Sequence, residues 1–155
     1  MSESSARELL LPEPARPAPP EDVVPASADG PRSRVFGPQL GACATARAYV
    51  ERLLTVWGLT HLRDEAVLAV SELIANVLVH TDSLAGLTLR RTGRDGLWIG
   101  VHDTSHRRPV VGRAAATAGG GRGLHIIDVL ADTWGVTPDA HSSGKTVWLQ
   151  LTTHR

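Results

Sequence analysis

The chain has 155 residues, 16 basic and 16 acidic side chains that cancel to a formal net charge of zero, and one cysteine, Cys43. This length allows one ordinary domain plus a tail, and the balanced charge gives no electrostatic footprint for a nucleic acid or an anionic membrane surface. An internal disulfide is excluded by the single thiol. No signal-peptide or membrane-spanning pattern is present, so a cytoplasmic location is expected.

Eight of the ten prolines lie between Pro12 and Pro38, among Ala, Ser and acidic residues. Such a composition cannot bury enough surface to offset chain entropy. Residues 1–31 therefore read as a disordered or loosely attached tail, and 32–155 as the domain. A short strand is expected at 32–36. Residues 40–56 carry a helical pattern, with Ala44, Ala48, Leu53 and Val56 as its apolar positions, and Trp57-Gly58 ends it. A second helix spans 62–80, with Asp64 and Glu65 near its positive end. Its apolar residues Val67, Leu68, Val70, Leu73, Ile74, Val77 and Leu78 cover more than one stripe, which predicts a largely buried helix. Strands at 87–91 and 97–102 are joined across Gly93-Arg94-Asp95-Gly96, a hairpin signal. A long loop, 104–121, leads to a helix at 124–131, and strands at 133–137 and 146–152 close the chain. This order predicts an α+β fold, a two-layer sandwich with helices on one face of a mostly antiparallel sheet. A doubly wound parallel sheet would need regular β–α alternation.

Four constellations could carry chemistry. Glu72, Asn76 and His80 stand at i, i+4 and i+8 in SELIANVLVH, so three polar side chains stack on one side of an apolar helix. Each would cost about 1–3 kcal/mol if buried without a partner, so something polar should face the row, whether a structural network, solvent or a ligand. Two histidines four apart are missing, so zinc is not supported. Asp103 ends the apolar run Leu97-Trp98-Ile99-Gly100-Val101, where a carboxylate either accepts from a buried amino group or begins a turn with Thr104; turn initiation is the default. Gly119-Gly120-Gly121-Arg122-Gly123 precedes a helix start at Leu124. There close backbone approach and free amides favour phosphate oxygens, while a ligand-free hinge is the competing reading. Gly144-Lys145-Thr146 alone is a hairpin turn.

Taken together and in order, these segments resemble the boxes of the GHKL ATPase and kinase superfamily. SELIANVLVH is similar to the N box, VHDTSHRRP to the first glycine box in the variant with Ser and Pro in place of glycines, GGGRGLHIIDVLADTWGV to the second, and GKTVWLQL to the third. The lead-in VWGLTHLRDEAVLAVSEL also resembles small single-domain actinobacterial proteins similar to anti-sigma-factor serine/threonine kinases. The resemblance spans about 33–152 and implies the Bergerat, histidine-kinase-like ATPase fold with ATP and Mg²⁺ as cofactors. By the same resemblance Asn76 would ligate Mg²⁺, Glu72 would orient or deprotonate the attacking hydroxyl, and His80 would support the box. Asp103 would accept from the adenine amino group, with Ser105 and Pro109 shaping the adenine loop. Gly119, Gly120, Gly121, Arg122, Gly123 and Leu124 would line the phosphates, and Thr146 would support the adenine side. Lys145 would either reach a phosphate or face solvent, and solvent is preferred.

The implied function is an anti-sigma-factor-type serine/threonine protein kinase that phosphorylates an antagonist protein. Its partners would be a sigma factor and that antagonist, with no direct nucleic acid or membrane contact, and a homodimer is left open. The alternative is a catalytically weak, nucleotide-gated protein-binding module. A detached histidine-kinase ATPase part is disfavoured because no helix pair with a phospho-accepting His precedes residue 33, and gyrase- or chaperone-like ATPases are disfavoured by length.

Overall fold

The computed structural model describes residues 30–39, 41–80, 83–103, 122–140 and 144–153. Its elements are β1 (Arg32–Phe36), α1 (Ala42–Trp57), a 3-10 turn at Thr60–Leu62, α2 (Arg63–His80), β2 (Ala85–Thr92), β3 (Gly96–Asp103), α3 (Arg122–Leu130), β4 (Thr133–Pro138) and β5 (Lys145–Thr152). The five strands form one sheet in the order β1-β2-β3-β5-β4, with every neighbouring pair antiparallel. This is the α+β sandwich expected from the element order.

Strand alternation decides which side chains meet the helices. Leu87 and Leu89 on β2, Leu97, Ile99 and Val101 on β3, and Val147, Leu149 and Leu151 on β5 are buried in one core with residues of all three helices. Each such fully buried Leu or Ile contributes about 1.5–3 kcal/mol relative to leaving it in water. The opposite parity forms the outer face. There the Arg90 guanidinium lies 4.6 Å from the Trp98 ring centroid, and burial lowers its pKa from the ordinary arginine value. Trp148 on β5 donates its indole N–H to Thr137 Oγ1 at 3.2 Å.

Two expectations about the helices are corrected. Helix α1 begins at Ala42 rather than residue 40, and its buried face is Ala42, Ala46, Val50, Leu54 and Trp57. Ala44, Ala48 and Val56 are exposed and Leu53 is half-buried. Spacings of four, four, four and three follow one helical face, so the two large residues Leu54 and Trp57 set the phase and the alanines between them follow. The helix ends where Gly58, at φ 70°, takes the left-handed conformation that glycine adopts without steric cost. Helix α2 is buried along Ala66, Ala69, Val70, Leu73, Ile74 and Val77, but Leu68 is 41% exposed and Val67 and Leu78 are only half-buried. A helix lying on a sheet presents one broad stripe to it, and residues off that stripe stay at the margin. Among the described residues no helix is long and apolar enough to cross a membrane. The tail at 1–29 and the loop at 104–121 lie outside the described residues.

Candidate functional site

Helix α2 supplies the first part of the site. Asp64 and Glu65 in its first turn oppose the positive end of the helix, which favours a start at this point. Glu72 and Asn76 lie one turn apart, half-buried, in the row beside the buried Ala69–Leu73–Val77 row. Among the described residues neither side chain spends its polar atoms on a hydrogen bond. His80 closes the helix, and its side chain lies outside the described set.

The second part forms where β3 ends beside the start of β5. The sheet order brings these strands together although α3 and β4 separate them in sequence, and the register pairs Asp103 with Lys145, His102 with Thr146 and Val101 with Val147. Asp103 continues the inward parity of Leu97, Ile99 and Val101, just as Lys145 begins that of Val147, Leu149 and Leu151. Both side chains are therefore on the helix-covered face. Asp103 is 3% exposed and Lys145 7%, and Lys145 Nζ donates to Asp103 Oδ1 at 3.0 Å. Of the two readings of Asp103, the structure shows acceptance from a buried amino group, that of Lys145. The expectation of a solvent-facing Lys145 gives way, because an ammonium on the inward parity finds a carboxylate directly across the ladder.

Gly144 makes this junction tight. A Cβ on it would stand 2.6 Å from the Asp103 carbonyl oxygen and 2.8 Å from His102 Nε2, and would collide with the Asp139 carboxylate. No other residue fits without moving the strand ends. On the outer side His102 Nε2 lies 2.7 Å from Asp139 Oδ2, while the Asp139 backbone N–H donates to the Gly144 carbonyl at 2.8 Å. Thr146 shares that outer side: its Cγ2 is 3.2 Å from where a Cβ on Gly100 would sit. Consecutive strand residues point to opposite faces, so the residue on Asp103's face is Lys145, and Thr146, expected on the adenine side, stands on the other.

The third part is the start of α3. Arg122 and Gly123 open the helix, two residues earlier than expected. The first backbone N–H groups of a helix have no partner within it, an arrangement that suits phosphate oxygens. The Leu124 side chain is 1% exposed and packs in the core with Ile127, so only its backbone is left for a ligand. Ser105, Pro109, Gly119, Gly120 and Gly121 lie outside the described residues, as does the side chain of Arg122.

The donor set is chemically coherent. An amide oxygen one helical turn from a carboxylate suits a hard cation such as Mg²⁺, which takes one or two protein oxygens and fills its shell with water and phosphate. A buried carboxylate at a strand end suits an amino-bearing heterocycle.

Residues 36–151 match a family model described as the histidine kinase-like ATPase domain. Among solved structures the chain is similar to the RsbU and RsbW domains of Rv1364c from Mycobacterium tuberculosis, with 18% identity and a TM-score of 0.57 over 77% of this chain. It spans about a third of that solved chain's length, 31%. Among curated proteins no match was found.

Proposed function

The chain belongs to the histidine kinase-like ATPase domain family, and on that premise we propose that it binds Mg–ATP and acts as an anti-sigma-factor-type serine/threonine protein kinase toward an antagonist protein. The observation that carries the reading is the pairing of Glu72 with Asn76, half-buried and one turn apart on α2. Binding alone needs Asn76; the carboxylate beside it supplies what transfer requires.

In this reading Asn76 would hold the cation through its carboxamide oxygen, and Mg²⁺ when bound would supply charge neutralisation on the phosphates. Glu72 would accept the proton of a serine or threonine hydroxyl on the substrate protein and orient its oxygen toward the γ-phosphorus, so that the new O–P bond forms as the γ-phosphorus–β-phosphate oxygen bond breaks and ADP leaves. Asp103 would accept from the exocyclic amino group of the base, and the backbone at Arg122 and Gly123 would bind the phosphates. The similarity to the solved RsbW-containing chain bears on fold alone, so a sigma factor and its antagonist enter as partners of this proposal.

The test is transfer of radiolabelled γ-phosphate to an antagonist copurified from the native cells. Glu72→Gln should keep Mg–ATP affinity and lose transfer. Equal transfer by both proteins would remove Glu72 from the chemistry, and nucleotide-dependent partner capture without any transfer would favour a gated binding module.

A further inference from the structure

A buried lysine at the base end of the site is not used by the reading above. Lys145 is 7% exposed, and its ammonium is held by a carboxylate that is itself 3% exposed. Burying two charges costs several kcal/mol per ion, and such a pair often contributes nothing net to stability compared with apolar residues of the same shape. Packing alone therefore does not account for the pair.

We propose that Lys145 is a specificity-determining positioning residue: through its ion pair it fixes the acceptor-only carboxylate of Asp103 in place, and so selects a purine with an amino group, not an oxo group, at position 6. The inference rests on the ATP reading of the site. A carboxylate only accepts hydrogen bonds, so one held in place takes an amino donor and has no hydrogen to offer a 6-oxo oxygen. Lys145 holds it from across the strand ladder. The pairing of Asp103 with Lys145 in the β3–β5 register fixes where the ammonium stands, and Gly144 keeps the two strand ends close enough for the 3.0 Å contact. The base is read by Asp103, and Lys145 acts through it.

The experiment compares ATP with inosine triphosphate, which differs at position 6, by calorimetric titration of the full chain with Mg²⁺ present. Three proteins are used: wild type, Lys145→Gln, which retains a donor to Oδ1 without charge, and Lys145→Arg, which retains the charge. Wild type should prefer ATP by on the order of tenfold to a hundredfold, the range set by one mismatched buried hydrogen bond. Lys145→Gln should reduce that ratio about tenfold or more, and Lys145→Arg should restore most of it. A merely structural lysine would weaken both nucleotides equally and leave the ratio unchanged, which overturns the proposal. If Lys145→Gln does not fold, the same ratio is read on Lys145→Met, which keeps an unbranched side chain of similar length without the charge; a wild-type ratio there also overturns it. Binding of ATP by wild type with no preference over inosine triphosphate refutes the role of Lys145 while sparing the ATP reading. Binding of neither nucleotide refutes both.

Discussion

Replacing Asp103 by alanine removes the carboxylate and leaves the Lys145 ammonium, 7% exposed, without its 3.0 Å partner. Breaking a buried pair from one side costs about 3–5 kcal/mol, most of it the desolvation of the charge left behind. Domains of this kind have total stabilities of about 5–15 kcal/mol, so the loss takes a large share of the whole. Lys145→Met should lose a similar amount for the converse reason. Making both changes removes both charges, and the double variant should be about 2 kcal/mol or more better than the sum of the two singles. Urea unfolding followed by tryptophan fluorescence and circular dichroism gives the three differences from one slope. Because the pair is buried, raising the salt to about 1 M should change the coupling little. Single variants that each lose less than about 1 kcal/mol, with losses that simply add, would show that the ion pair is solvated and would refute this reasoning.

The face of α1 is tested by Ala46→Glu, at 0% exposure, against Ala48→Glu on the exposed side: the first should unfold the protein or cost several kcal/mol, and the second should leave the urea midpoint within error. Gly144→Ala should cost about 1–3 kcal/mol in the same assay and weaken ATP binding, because the added methyl presses on the Asp103 carbonyl oxygen and His102. Unchanged stability there would mean that the strand ends separate freely. Leu124→Ala should cost about 2–5 kcal/mol, as expected for a buried core leucine; loss of nucleotide affinity with no loss of stability would instead place its side chain at the ligand.

Much of this was legible in the sequence, and the failures have identifiable causes. The strands are marked by inward alternation of large apolar residues, and the order of helices and hairpins already implied a two-layer sandwich. The face of α1 was misread because alanines occupy both sides of it, so small residues carry no phase; Leu54 and Trp57 do, and with Val50 and Ala46 they mark the buried side. Lys145 was misjudged by residue type, and for Asp103 residue type alone left a turn as the default beside the buried acceptor. A polar residue at a strand end reads as a turn or a solvated tip, yet extending the parity of Leu97-Ile99-Val101 forward and of Val147-Leu149-Leu151 backward puts both on the core face. The same parity rule turns Thr146 outward. Their pairing was beyond the sequence, since it depends on β5 inserting between β3 and β4, a choice of strand order that local pattern does not encode. Glu72 and Asn76 were legible because helical spacing alone places them in one row.

The central claim is that this chain clasps Mg–ATP between α2 and the junction of β3 with β5. Calorimetric titration of Mg–ATP into the full chain tests it most directly, with Asn76→Ala and Asp103→Asn as companions. The account expects saturable one-to-one binding by wild type, loss of the magnesium-dependent part in Asn76→Ala, and a selective loss of adenine preference in Asp103→Asn. No heat with wild type, or identical isotherms for all three proteins, would contradict it.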